Sequence, residues 1–76
     1  MPKLPSFKPR EIVAIFKKLG YTIHRQRGSH VVMYHTQLRL RAVIPMHTKD
    51  IKQGTLKALL KQTNTSDKMF LRAAKK

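Results

Sequence analysis

Alternation of apolar and polar side chains in two neighbouring segments constrains the fold of this chain more than any other feature. Residues 30–35 read HVVMYH, and residues 38–44 read LRLRAVI. Both segments place apolar side chains at every second position and contain β-branched or aromatic residues, which is typical of half-buried β-strands. Pro45 ends the second segment. The sequence therefore predicts an antiparallel hairpin with one apolar face and one basic face.

The register of this hairpin follows from its shortest connection. A two-residue turn at Thr36-Gln37 pairs Tyr34 with Arg39. The same turn pairs Val32 with Arg41, so both arginines lie on the basic face. A slip of one residue would turn them toward the core, which disfavours that alternative. Thr-Gln lacks the glycine or asparagine that two-residue hairpin turns prefer, so a wider loop remains open.

Start and stop signals define the other elements. Pro9 suits the first turn of a helix, and Gly20 suits its end. Asn64 can end a second helix in a left-handed conformation, and Ser66 can cap a last short one. The predicted elements are a helix over 9–19, a strand over 21–26, a helix over 54–62 and a short helix over 67–74.

The order of these elements predicts an α+β fold. The economical arrangement is a three-stranded antiparallel sheet with the helices on one face and a basic opposite face open to solvent. At this length we expect a single domain over residues 1–76. Residues 1–8 should form an irregular lead, and residues 75–76 a frayed tail.

The charge of the chain indicates a polyanionic partner. Seventeen Lys and Arg residues face three acids, which gives a net charge of +14. Such a chain is expected to bind RNA, DNA, an anionic membrane or an acidic protein. Three acids are too few for paired-carboxylate catalysis or a two-metal nuclease site. The absence of cysteine excludes disulfides, thiolate nucleophiles and cysteine-based zinc sites.

Metal sites, cofactors and membrane spans are not expected. The four histidines have no spacing typical of zinc ligands. No apolar run approaches the ~18 residues of a membrane helix. The first residues lack the long apolar stretch of a signal peptide, so we expect a cytoplasmic protein.

His30 has the most suggestive surroundings of the four histidines. It follows Gly28-Ser29, which would shape a loop at the start of a strand, and Arg25 and Arg27 lie just before it. Histidine suits proton transfer near neutral pH, and arginine binds phosphate through paired hydrogen bonds. These are the parts of a metal-free ribonuclease, in which His30 takes the proton of a 2′-hydroxyl that attacks the adjacent phosphorus. An ordinary exposed histidine on a basic surface is the alternative.

The predicted hairpin supplies candidates for RNA contacts. Arg39 and Arg41 are candidates for binding phosphate, and Tyr34 is a candidate for stacking on a base. The lysines of the following loop and the second helix are more simply interpreted as a solvated helix face; they are Lys49, Lys52, Lys57 and Lys61. The arginines of the hairpin are therefore the better candidates for RNA phosphates.

The reaction needs a second proton-transfer group, and the sequence does not identify it. His47, His24 and water are all candidates for a partner of His30. His47 is the more suggestive of the two side chains, because it lies in the loop at the end of the sheet together with Lys49.

Four short motifs occur in order along the chain. A close variant of Leu-x-x-x-Gly followed by an aromatic residue spans 16–21, and Arg-x-x-Gly-Ser-His spans 25–30. Pro-x-His follows at 45–47, and Gly-Thr-Leu opens the second helix at 54–56. The ordered set covers roughly residues 9–72 and resembles the HicA family of toxins from prokaryotic toxin–antitoxin modules.

This resemblance implies a fold, an activity and a partner. Members of the family have a double-stranded-RNA-binding-domain-like α-β-β-β-α fold, and they cleave messenger RNA and arrest growth. Their catalytic residue is the histidine of Gly-Ser-His, which corresponds to His30. An antitoxin, HicB, binds the toxin and covers that site, so an acidic antitoxin is expected here. The chain departs from the family at Thr36-Gln37 and at Lys68-Met69, where turn-forming and acidic residues are common.

Two other functions remain open. A nucleic-acid-binding module without chemistry fits the charge and the fold equally well. A structural basic protein, such as a ribosomal component, is a third interpretation. Loss of function on changing His30, with nucleic-acid binding retained, would distinguish a nuclease from a binding module.

Overall fold

The computed structural model, which describes residues 4–47 and 49–75, contains six elements in the predicted order. Each boundary lies within two residues of its prediction. No helix within these two ranges is long and apolar enough to span a membrane. The elements are α1 (Pro9–Lys18), β1 (Thr22–Arg27), β2 (His30–His35), β3 (Leu40–Pro45), α2 (Gln53–Gln62) and α3 (Asp67–Ala74).

The three strands form one antiparallel sheet in the order β1-β2-β3. Its apolar face carries Val31, Met33, Ala42 and Ile44, which are all buried. α1 and α2 pack on this side against β3, and α3 packs on α1. This is the predicted α+β fold of the double-stranded-RNA-binding-domain type, with an added C-terminal helix. We call the opposite surface the open face, and its paired side chains are Thr22, Arg25, Arg27, His30, Val32, Tyr34, Arg41, Val43 and Pro45.

The β2–β3 hairpin has a different register from the predicted one. Tyr34 pairs with Arg41 rather than with Arg39. Val32 pairs with Val43, where a pair with Arg41 is predicted. The pairing is therefore displaced by two residues, and an even displacement leaves each paired side chain on its predicted face.

A four-residue turn causes this displacement. Residues 36–39 form the connection, and Arg39 adopts a left-handed conformation with φ 56°. The Arg39 N–H donates to the His35 carbonyl over 2.8 Å, and the Leu38 N–H donates to His35 Nδ1 over 3.1 Å. These bonds close a loop that Thr-Gln alone cannot close as a type I′ turn. The prediction that Leu38 and Arg39 belong to the strand is therefore wrong.

Local signals account for the other element ends. Leu19 is the C-cap of α1, which ends one residue earlier than predicted. Tyr21 is buried in the core instead of opening β1. Asn64 has the predicted left-handed conformation, with φ 52°. The Ser66 hydroxyl caps α3 as predicted, because it accepts a hydrogen bond from the Met69 N–H over 3.0 Å.

The lead has no regular structure over its described part, but it packs on the rest of the chain. Leu4 is buried, and its carbonyl accepts a hydrogen bond from Gln53 Nε2 over 2.9 Å. Lys75 caps the end of α3. Residues 1–3 of the predicted lead and Lys76 of the predicted tail lie outside the described residues.

Replacing Phe70 by alanine should destabilise this fold strongly. Phe70 is fully buried, and its ring centroid lies 5.2 Å from that of Phe7 and 6.0 Å from that of Phe16. Removing such a side chain costs about 3–5 kcal/mol, a large share of a typical stability of about 5–15 kcal/mol. Urea unfolding followed by circular dichroism measures the loss. Met69→Ala is the control, because Met69 is 51% exposed on the same helix; equal losses in the two variants would contradict the packing.

Candidate active site

The turn between β1 and β2 presents His30 at one end of the open face. Gly28 and Ser29 connect Arg27 and His30, which are paired across the two strands. Gly28 has φ 55°, and a positive φ at the first central position alone is the pattern of a type II′ turn, which favours glycine there. His30 is the first residue of β2, and it is exposed. The turn therefore holds an accessible imidazole next to an arginine.

The segment after β3 brings a second histidine to the same place. Pro45 pairs with His30 across the sheet, and His47 follows two residues later. The Met46 N–H donates a hydrogen bond to the Ser29 carbonyl over 2.5 Å, which ties this segment to the β1–β2 turn. As a result, the ring centroids of His30 and His47 lie 6.0 Å apart, with the planes inclined by 59°. Both residues are exposed, so both imidazoles can reach one ligand.

The start of α2 adds positive charge beside this pair. Pro45, His47, Ile51, Lys52 and Thr55 line a depression of about 220 Å³. Lys52 is the N-cap residue of α2, and the N-terminus of a helix attracts anions through its free N–H groups and its dipole. His47 therefore borders a depression suited to an anion. From the sequence, Lys52 was predicted to lie on a solvated helix face, and its position beside His47 was not predicted.

Three of the four predicted arginines share the open face with His30. Arg27 is its partner on β1, Arg25 lies two residues earlier on that strand, and Arg41 lies on β3. Arg39 does not share this face, because the four-residue turn removes it from β3. The three acidic residues all lie outside the strands, so no carboxylate of the sheet itself offsets these charges.

The other two histidines stand apart from His30. His24 lies at an irregularity of β1, about 10 Å along that strand from the turn, and its ring centroid lies 6.2 Å from that of Tyr34. His35 ends β2, where its ring packs edge-on against Tyr21 at a centroid distance of 5.1 Å. The structure therefore does not bring His24, one of the alternatives for the second proton-transfer group, to His30.

Neither a metal cluster nor a buried titratable side chain is found at this site. Within residues 4–47 and 49–75, no three His, Asp or Glu side chains lie close enough together to hold a metal ion.

Burial raises the pKa of the Tyr21 phenol, and the neighbouring Thr63 side chain partly opposes that rise. Tyr21 stays protonated at neutral pH and lies in the core, so it takes no part in proton transfer on the open face.

A second depression lies further along the open face. It has a volume of about 130 Å³ and is lined by His24, Arg25, Val32 and Arg41. Sequence reasoning found the two arginines but did not group them with His24. The irregularity that turns His24 toward this surface leaves no trace in the pattern of side chains.

Comparison with known proteins identifies one family. A family model described as "HicA toxin of bacterial toxin-antitoxin" matches residues 9–64, about three quarters of the chain. The match extends from the first residue of α1 to just beyond α2 and includes both His30 and His47. No curated protein matches the chain significantly.

Proposed function

Because this chain belongs to the HicA toxin family of bacterial toxin–antitoxin systems, we propose that it is an endoribonuclease that cleaves messenger RNA in the cytoplasm and thereby inhibits translation and growth. The observation that carries this proposal is the pair of exposed imidazoles of His30 and His47, 6.0 Å apart at one end of a basic face. At that spacing both rings can contact oxygens of one phosphate group, one as a base and the other as an acid.

His30 acts as the general base in this proposal. It accepts the proton of a 2′-hydroxyl, and the resulting oxygen attacks the adjacent phosphorus. The bond from phosphorus to the 5′-oxygen breaks, and His47 donates a proton to that leaving oxygen. One product ends in a 2′,3′-cyclic phosphate and the other begins with a 5′-hydroxyl. Solvent then returns a proton to His47 and removes one from His30, so the cycle closes without a net change in the protein.

Cations close to the histidine pair stabilise the charge that develops on the phosphorane. Arg27 is paired with His30 across the strands, and Lys52 lines the depression beside His47. Fixed positive groups aimed at a developing charge lower the barrier most when they need no rearrangement. The Gly28-Ser29 turn contributes by holding His30 in place.

The rest of the open face binds the flanking RNA in this proposal. Arg25 and Arg41 bind neighbouring phosphates, and Tyr34 offers a ring for stacking. No cofactor is needed, and the reaction is proposed to proceed without a metal ion, because the two imidazoles supply both proton transfers.

The proposed partner is an acidic antitoxin of the HicB type. The chain carries a net charge of +14, and its open face presents Arg25, Arg27 and Arg41 with no carboxylate on the strands. An antitoxin that places Asp and Glu side chains on this face would cover His30 and exclude RNA. Complementary charge would also speed the encounter of the two proteins.

The purified chain is expected to cleave single-stranded RNA in excess EDTA, and mass spectrometry should find 2′,3′-cyclic phosphate ends. DNA of the same sequence is the control, because it has the phosphates but lacks the 2′-hydroxyl and should bind without being cut. Cleavage that requires an added divalent metal would contradict the mechanism. RNA binding without any cleavage would favour the non-catalytic binding module.

A further inference from the structure

The middle of the open face carries more apolar side chains than the solvent-facing side of an antiparallel sheet usually does. Val43 is 41% exposed there. Its cross-strand partner Val32 is only partly buried, and so is Tyr34, two residues further along β2. The solvent face of an antiparallel sheet is normally polar, and grouped exposed apolar side chains often mark a binding surface. The phosphate chemistry at His30 does not use these side chains.

A β-bulge adds a histidine to this group. The pairing of β1 with β2 shifts between Ile23 and Arg25, which leaves His24 without a direct partner. Bulges commonly re-aim a side chain next to an active site. The His24 ring lies beside Tyr34, with a centroid distance of 6.2 Å and an interplanar angle of 49°. We call His24, Val32, Tyr34 and Val43 the sheet platform.

Arginines flank the sheet platform on two sides. Arg41 is the cross-strand partner of Tyr34 on β3, and Arg25 is the partner of Val32 on β1. Both line the 130 Å³ depression together with His24 and Val32. Aromatic and apolar side chains with cations at their edges are the chemistry that binds unpaired bases while holding the backbone.

The sheet platform also lies at a useful distance from the histidine pair. Val32 and Tyr34 follow His30 by two and four residues on the same strand, which places them about 7 and 13 Å along β2. RNA whose scissile phosphate sits between His30 and His47 would therefore lay an adjacent base over the platform.

We infer that the sheet platform binds a nucleobase that flanks the scissile phosphate, so that the substrate is recognised as unpaired RNA. His24 and Tyr34 contact the base by stacking, and Arg25 and Arg41 bind the adjoining phosphates. In an RNA duplex the bases stay stacked inside the helix, and the duplex exposes mainly phosphates and 2′-hydroxyls. A duplex therefore gains no binding affinity from the sheet platform. The inference rests on the proposed nuclease function and assigns its substrate class.

Binding to the His30→Ala variant tests the platform independently of cleavage. Fluorescence anisotropy with a labelled single strand and with a duplex of the same sequence gives the two affinities. Adding Tyr34→Ala or His24→Ala to this variant should weaken single-strand binding about tenfold, as expected for one lost stacking contact, and should change duplex binding much less. Tyr34→Phe, which keeps the ring, should restore most of the affinity. Leu38→Ala is the control for an exposed apolar side chain outside the platform.

Two results would overturn the inference. If Tyr34→Ala and His24→Ala bind the single strand as tightly as Leu38→Ala, the apolar surface does not contact bases, and contact with the antitoxin becomes the better explanation. If both substitutions weaken duplex and single strand equally, recognition of unpaired bases is excluded. Circular dichroism of each variant shows whether it is folded. Absence of cleavage by the native chain would defeat the proposed nuclease but would leave this binding comparison intact.

Discussion

Replacing His30 by alanine should reduce RNA cleavage at least ~10²-fold, the usual scale for a lost acid–base group. The variant loses the proposed proton acceptor for the 2′-hydroxyl, and water is a poorer base at neutral pH. His30 is exposed at the first position of β2, so its loss should change the free energy of unfolding by no more than about 0.5 kcal/mol. Initial rates on a labelled single-stranded RNA, together with circular dichroism, measure both quantities.

The control for this experiment should be a neutral, exposed residue on the same hairpin. Gln37→Ala meets this need, because Gln37 lies in the β2–β3 turn at the opposite end of β2 from His30. Its cleavage rate should match that of the native chain. Should the His30→Ala protein cut RNA as fast as the Gln37→Ala protein, His30 would have no part in the chemistry, and the proposed function would have to be abandoned.

Replacing His47 by alanine should also reduce cleavage of RNA about 10²-fold, but the loss should depend on the leaving group. As the general acid, His47 is needed only when the 5′-oxygen leaves as a poorly stabilised alkoxide. A uridine 3′-phosphate ester of 4-nitrophenol has a leaving group that needs no proton. His47→Ala should therefore cleave this ester nearly as fast as the native chain, whereas His30→Ala should be slow on both substrates.

If His30→Ala instead cleaves the nitrophenyl ester nearly as fast as the native chain, while His47→Ala is slow on both substrates, the two roles are exchanged. An equal loss in His47→Ala on RNA and on the nitrophenyl ester would show that His47 is not the proton donor, and would leave water in that role.

The sequence predicts each histidine of this pair, but it does not predict that they meet. In the predicted register His30 pairs with Val43, which leaves His47 four residues beyond the paired region. The observed register pairs His30 with Pro45, so only Met46 separates the strand end from His47. The displacement originates in the four-residue turn at the other end of the hairpin. A helical period or an alternation of side chains carries no information on how many residues a turn contains.

The helices and the distribution of the side chains over the faces were predictable for a physical reason. Capping residues, prolines and apolar spacing act locally, and a register error of two residues keeps the faces unchanged. The bulge at His24 was not predictable, because residues 24–27 are all polar and have no alternation that an inserted residue would interrupt. The position of Arg39 was predicted wrongly for the same reason as the register, because the four-residue turn removes Arg39 from β3.

The spacing of the two imidazoles depends on a bond between main-chain atoms. The Met46 N–H and the Ser29 carbonyl hold the two histidine-bearing segments together, and neither side chain takes part. The side chain of residue 46 can therefore vary without moving the histidines, provided that residue 46 is not proline, which has no N–H to donate. The fit of residue 46 to a particular antitoxin can change in this way while the spacing of the two imidazoles stays the same.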